Sequence, residues 1–208
     1  MTGLSEALNL DEAAALLADA FFGNPAHIYI YPDEKTRRPR LEWLMRTNLK
    51  AQRAIGVPFG ETGENGRVEA VAFWHRPGAP KASLGVLARY GFFSMPFRHG
   101  FAAFARMLHT VNSVEERRKA ALQGRESWYL NNMVVAAAAR GKGLGSVVLR
   151  RALRADVDGS GAPASLTTQK PENVRFYEGL GFHVADDRPV KDKAGGGFDN
   201  WVMIYEPR

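Results

Sequence analysis

The chain has no cysteine. That excludes disulfides, zinc–thiolate centres and a cysteine nucleophile. No apolar run reaches the roughly 18 residues that a membrane span requires, so no membrane association is expected. The five histidines stand at no metal-ligand spacing, and no metal is expected. Long runs of Lys and Arg are missing too, although the net charge is +6. The cations are scattered, as in Arg37-Arg38, Arg117-Arg118-Lys119 and Arg150-Arg151. Nucleic-acid binding, the usual reason for a basic chain, is therefore not expected. The charges read as solvated helix faces, some of them able to attract a polyanionic ligand. Met1-Thr2-Gly3-Leu4-Ser5-Glu6 has neither a basic region nor an apolar core, so the expectation is a cytoplasmic protein without a secretion signal. Internal repeats and long linkers are absent as well. The 208 residues, 45% of them apolar, suit one domain over 1–208 with a full core, as a monomer or a homodimer.

What is present is ordered. Residues 11–22 read as an amphipathic helix with Ala14, Leu16, Leu17 and Phe21 on one side, stopped by Asn24-Pro25. Thr36 to Ala54 reads as a second helix. Val57–Glu61 and Arg67–Trp74 flank Gly63-Glu64-Asn65-Gly66 and read as a hairpin. Residues 82–122 carry Tyr90, Phe92, Phe93, Phe97, Phe101 and Phe104 but only Glu115 and Glu116 as acids. Pro96 and Gly100 should divide this segment into two or three helices. It is either extra core or an aromatic wall for a ligand. Ser127 to Val135 reads as the central strand. Simple alternation would put Trp128, Leu130, Asn132 and Val134 on one face and Tyr129, Asn131, Met133 and Val135 on the other.

The richest stretch follows that strand. Arg140-Gly141-Lys142-Gly143-Leu144-Gly145-Ser146 turns directly into an amphipathic helix with Val148, Leu149, Ala152 and Leu153 as its apolar stripe. Glycines let backbone N–H groups approach a ligand. A helix N-terminus adds free donors and partial positive charge. Together they cradle phosphate. The lysine lies between glycines, which breaks the nucleotide P-loop pattern. Counting Gly-x-Gly-x-x-Gly from Gly141 ends on Ser146, so the dinucleotide fingerprint fits poorly. Ala164–Thr168 reads as the next strand, a helix starts near Pro171 and can close at Gly181, and Asn200–Glu206 reads as the last strand.

Arg-Gly-x-Gly-x-Gly resembles the acyl-CoA pyrophosphate loop of the GNAT superfamily of N-acetyltransferases. Thr167-Thr168-Gln169-Lys170-Pro171-Glu172-Asn173-Val174-Arg175-Phe176-Tyr177, with Gly181-Phe182 after it, resembles the next block of the same superfamily, in the same order and at the same distance. Ala70-Val71-Ala72-Phe73-Trp74 with Arg76-Pro77-Gly78, and Trp128-Tyr129-Leu130, are similar to the puromycin N-acetyltransferase-like branch. The resemblance covers roughly 11–206.

It implies an α/β (α+β) fold: a mixed, mostly antiparallel sheet of about six or seven strands, splayed at its centre, with helices on both faces and a helical insertion at about 82–122. It implies acetyl-CoA as cosubstrate and a small-molecule amine as acceptor, in direct transfer through a ternary complex. Met133, Val134 and Val135 would border the pantetheine arm. Arg140, Gly141, Lys142, Gly143, Leu144, Gly145 and Ser146 would hold the pyrophosphate, and Asn173 and Tyr177 would also touch the cofactor. Tyr177 would be the acid that protonates the leaving thiolate. The branch often has Glu where Asn131 and Thr167 stand here. Glu126, Tyr129 or His75 acting through water are the remaining candidates for the base. Loss of those carboxylates leaves a non-catalytic acyl-CoA sensor as one alternative; the basic pI leaves a nucleic-acid-binding protein as a second.

Overall fold

The computed structural model describes residues 9–54, 58–62, 68–79 and 82–208. Helix α1 (Leu10–Phe21) starts on Asn9, whose side chain accepts from the Asp11 and Glu12 N–H groups at 3.0 and 3.3 Å. Those two acids sit where the helix dipole favours them. Asn24-Pro25 does more than stop α1. Asn24 caps a further short helix, α2 (Pro25–Ile30), by accepting from Ala26 N and His27 N, and Pro25 fills its first turn. Helix α3 (Glu34–Ala54) packs along α1.

Strands β1 (Pro58–Thr62) and β2 (Val68–His75) pair antiparallel; the turn expected at Gly63–Gly66 lies outside the described residues. The insertion is helical, as expected. It contains α4 (Leu84–Arg89), a 3-10 turn (Phe92–Ser94), α5 (Met95–His99) and the long α6 (Phe101–Leu122). Gly100, with φ 87°, makes the break. Pro96 does not break a helix; it lies in the first turn of α5, where it costs no hydrogen bond.

Then come β3 (Trp128–Val135), α7 (Leu144–Ala152), a π-helical turn (Leu153–Val157) leading into α8 (Asp158–Ser160), β4 (Ala164–Thr168) and α9 (Pro171–Glu178). Strand β5 (His183–Asp186), a two-stranded ribbon of β6 (Val190–Lys191) and β7 (Gly197–Phe198), and β8 (Trp201–Tyr205) complete the chain.

The main sheet has the order β1-β2-β3-β4-β8-β5. Only β3 and β4 run parallel. One apolar core lies between the sheet and α1, α3, α5 and α6, and includes Leu17, Leu41, Met45, Met95, Phe73 and Val134. The other lies under α7 and α9 and includes Trp74, Leu130, Leu149, Leu166 and Met203. Helices therefore cover both faces.

The simple alternation expected along β3 fails at its middle. Phe73 pairs with Asn132 but Trp74 pairs with Leu130, so Asn131 is an extra residue, a β-bulge. The phase inverts there. Trp128, Leu130 and Met133 share the α7–α9 face, while Val134 joins the α1–α3 core.

Candidate functional site

The bulge coincides with the point where the sheet opens. β3 and β4 pair through Trp128, Tyr129 and Leu130 against Ala164, Ser165 and Leu166, and no further. Beyond Leu130 the parallel strands diverge, and β3 keeps only β2 as a partner. Ala136 N–H donates to the Glu69 carbonyl. Alternation then turns Val134 toward β2 as well, and turns the backbone groups of Met133 and Val135 into the open slot. Val134 thus spends its backbone on the ladder and its side chain on the core. The Val135 carbonyl accepts from Arg140 Nε at 3.1 Å. Arg140 folds back onto the strand and fixes the start of the glycine loop.

The loop is shaped for backbone donation. Gly141 and Gly143 have φ of 76° and 75°, and nothing lies within 4 Å of where their Cβ atoms would be. A side chain at either position would be strained and would occupy open space above the loop. Gly143 is the N-cap of α7 and supplies no side-chain cap, so the first-turn N–H groups are left for a ligand. Lys142 is exposed beside them. Gly145 has a different task. A Cβ there would meet Val135 Cγ2 at 3.3 Å, and Met133 Cε and Phe176 Cζ at 3.5 Å. The glycine loop, the end of β3 and α9 therefore converge at one place.

On α9, Asn173 Nδ2 donates to Thr168 Oγ1 at 3.0 Å and ties the helix to the end of β4. Tyr177 is buried, with its ring tilted edgewise against Phe176 and Phe182 at 5.1 and 5.8 Å. Burial pushes its phenol above the ordinary tyrosine range, so the hydroxyl keeps its proton. Among the described residues no hydrogen-bond partner holds that hydroxyl.

The opposite face carries the polar groups around the split. Tyr129 lies against the Arg118 guanidinium, 4.3 Å from the ring centroid, and beside the His75 ring at 6.0 Å. Arg118 is itself held by Glu115 and by the Ser165 hydroxyl. Burial pushes the Tyr129 phenol up, opposed by Arg118 and by a hydrogen bond with Thr167. Burial lowers His75 to about 4, so this imidazole is neutral near pH 7. Glu126 is not part of this group. Its carboxylate lies under the Gly78 turn, beyond the opposite end of β3 from the glycine loop.

On this face, at the C-terminal end of β4, lies a cavity of about 710 Å³. Its walls include Tyr29, Arg106, Gln169, Asp192, Phe198 and Asp199. Tyr29 donates to Asp192 Oδ2 at 2.7 Å, and Asp192 Oδ1 accepts from Ala194 N and Gly196 N. This pins the β6–β7 ribbon to α2. Behind it, Asn24 Nδ2 donates to Gln169 Oε1, and Gln169 Nε2 donates to Asn200 Oδ1. The six rings of 82–122 do not line this cavity. Phe92 and Phe104 pack against the core, and Phe93, Phe97 and Phe101 face solvent. The insertion contributes Arg106 instead, and the acids come from the ribbon. Sequence reading missed the ribbon; its one local signal is Asp192 with glycines at 195–197. Among the described residues no group of three or more His, Asp or Glu is placed to hold a metal.

Residues 99–184 match the family model of the acetyltransferase (GNAT) domain. The fold is shared with a Corynebacterium glutamicum structure described as histone acetyltransferase HPA2 and related acetyltransferase (TM-score 0.63, 20% identity, covering 99% of this chain and 94% of that one). It is shared too with arylalkylamine N-acetyltransferase 2 from Aedes aegypti (0.62, 12%, 96% and 94%). A third likeness is to the polyamine N-acetyltransferase of Drosophila melanogaster (0.60, 12%, 96% and 97%).

Proposed function

For a chain that carries a GNAT acetyltransferase domain, we propose direct transfer of an acetyl group from acetyl-CoA to the primary amine of a small molecule, through a ternary complex. One observation carries this reading. The positive-φ glycine loop, the end of β3 whose β4-facing edge is free, and Tyr177's helix meet at Gly145, beside a slot that opens where β3 and β4 stop pairing.

The residues divide the work. Gly141 to Ser146 offer N–H groups, with Lys142, to the pyrophosphate. Met133 and the Val135 N–H offer a free strand edge to the pantetheine amides, as a sheet edge takes a peptide. Asn173 has an amide oxygen to spare for the same ligand. The amine enters from the opposite face through the ≈ 710 Å³ cavity. Asp192 and Asp199 draw its ammonium form, while Tyr29 and Phe198 flank its apolar body. Its proton leaves by way of His75, Tyr129 and Thr167 and water. The nitrogen lone pair then attacks the thioester carbonyl and the C–N bond forms. The nitrogen gives up its second proton by the same route as the C–S bond breaks. Tyr177 returns a proton to the sulfur, and solvent later restores the proton that Tyr177 gives away. A thiol has a pKa of roughly 8.5 and a free phenol roughly 10. Burial widens that gap for Tyr177, but the same apolar surroundings raise the energy of the thiolate it meets.

Two variants test the assignment. Gly143→Asp puts a carboxylate where the phosphate should lie. It should abolish the stabilisation given by acetyl-CoA, about 2.7 kcal/mol at a hundredfold excess over Kd and read as a rise in melting temperature; an unchanged rise overturns the cradle. Tyr177→Phe should lower kcat by about 10² or more with CoA affinity kept; wild-type turnover makes Tyr177 a packing residue. Thiol release over a panel of amines then separates an enzyme from a sensor, which gives none. Because the cavity wall carries Asp192 and Asp199 and none of the 82–122 rings, polyamines should be turned over at least as well as aromatic amines; aromatic amines ahead by tenfold in kcat/KM overturn that order.

A further inference from the structure

Between Glu69 and Glu115 the chain has no acidic residue, yet it has Arg76, Lys81, Arg89, Arg98 and Arg106. The same segment holds most of the large apolar side chains left in solvent. Leu84 is 72% exposed, Phe93 52%, Phe97 82% and Phe101 69%. Phe97 and Phe101 touch edge to face at 5.9 Å. Phe101, Leu108 and Val111 then continue as an exposed stripe along α6, at positions i, i+7 and i+10. A soluble monomer rarely leaves so many large apolar groups exposed within one segment without a use for them. Arg89 and Arg98 are exposed among these rings. Arg98 lies over Trp43 of α3, and Arg40 of the same helix is close enough to act on His99.

We propose that this α4–α6 face docks the enzyme on an anionic lipid surface. Exposed phenylalanines beside arginines, with no acid among them, suit the headgroup boundary of a negatively charged bilayer. A second copy fits worse. A twofold contact through this face would bring the same acid-free, basic surface against itself. The contact is peripheral, since no helix among the described residues is long and apolar enough to cross a membrane. It uses none of the rings or acids that line the amine cavity, so it stands apart from the catalytic assignment.

The test is co-sedimentation of the full chain with vesicles. Vesicles of phosphatidylcholine with one third phosphatidylglycerol should bind about tenfold or more tightly than phosphatidylcholine alone at low salt, and high salt should remove most of the difference. Phe97→Ser with Phe101→Ser should weaken binding to the anionic vesicles by about tenfold. Arg89→Glu with Arg98→Glu should abolish the preference for them. Both pairs are exposed, so both variants should keep the acetyl-CoA shift, with only a small loss of melting temperature where Arg98 leaves the Trp43 ring. Equal binding to both vesicle types, or none to either, overturns the proposal. So does a dimer in light scattering that the Phe97→Ser, Phe101→Ser variant turns into a monomer, which would make a second copy the occupant.

Discussion

Arg37 is a cation with almost no water around it, 6% exposed. Its Nε donates to the Tyr31 carbonyl at 2.7 Å, Nη2 to the Pro32 carbonyl at 2.9 Å and Nη1 to the Phe22 carbonyl at 3.4 Å, and the guanidinium lies 5.0 Å from the Phe22 ring centroid. One side chain thus satisfies the chain ends that α1 and α2 leave open. Arg37→Met should cost about 3 kcal/mol in a denaturant melt, because three carbonyls lose a charged donor. Arg37→Lys should not rescue it, since an ammonium lacks the planar fork; a Lys variant of wild-type stability would refute this account. Gly145 is the contrasting case, where the smallest residue does the joining. Gly145→Val should cost about 1–3 kcal/mol by overpacking against Val135, Met133 and Phe176. Gly145→Ala should cost less, because a lone Cβ needs only the Val135 methyl, 3.3 Å away, to shift slightly. Equal melting temperatures for both variants and wild type would show that α7 is not seated on β3 through this glycine.

Among the elements, the β6–β7 ribbon shows best what sequence cannot convey. Each of its strands has two residues, too few for any periodicity. Its position depends on Tyr29 reaching Asp192 across the whole chain. Tyr29→Phe keeps the ring on Phe198, 5.7 Å away, and removes that tie. Under the proposed acceptor route it should raise the amine's KM severalfold while kcat and the acetyl-CoA thermal shift hold. Its stability cost should be about 1 kcal/mol. An unchanged KM for every amine turned over would move the acceptor elsewhere. The glycine loop, by contrast, is legible because its chemistry is local: glycines at a strand–helix junction carry their own conformational reason. β3 is legible as a strand, but its bulge is not. An inserted residue has no side-chain signature, so counting alternate residues assigned Asn132 and Met133 to each other's faces. The cavity proposed for the acceptor is built from α2, α6, the end of β4 and the ribbon. No single stretch of sequence announces it, which is why the aromatic insertion looked like the natural wall. α2, six residues long, was hidden behind a motif that stops one helix and starts another.

The molecule as a whole should carry a pH limit set by its histidines. His27, His75 and His99 are each lowered to about 4, and burial is the largest cause in all three. His99 shows why. It is 6% exposed, its Nδ1 shares a hydrogen bond of 2.9 Å with the Tyr31 hydroxyl, and its ring meets Trp43 edgewise at 4.7 Å. Protonation would place a charge in this buried position, beside Arg40 and Arg98. In the unfolded chain the same imidazole takes its proton near pH 6.5. Above that value both states are neutral and stability does not depend on these groups. As pH falls from about 6.5 toward 4, the unfolded state binds protons that the folded state refuses. Each such histidine can then remove up to about 1.4 kcal/mol per pH unit. The carboxylates that ion pairs or hydrogen bonds hold low, Asp186, Asp192 and Glu206, add to the loss only below about pH 5. Denaturant melts should therefore be flat from pH 8 to about 6.5 and fall steeply below it. His99→Gln, whose amide oxygen can still accept from Tyr31, should be a little less stable at pH 8. It should lose close to a third of the slope between pH 6 and 4.5, because one of the three titrating groups is gone. A slope identical to wild type would mean that His99 takes its proton in the folded protein as readily as in the unfolded chain, and that burial does not hold it neutral.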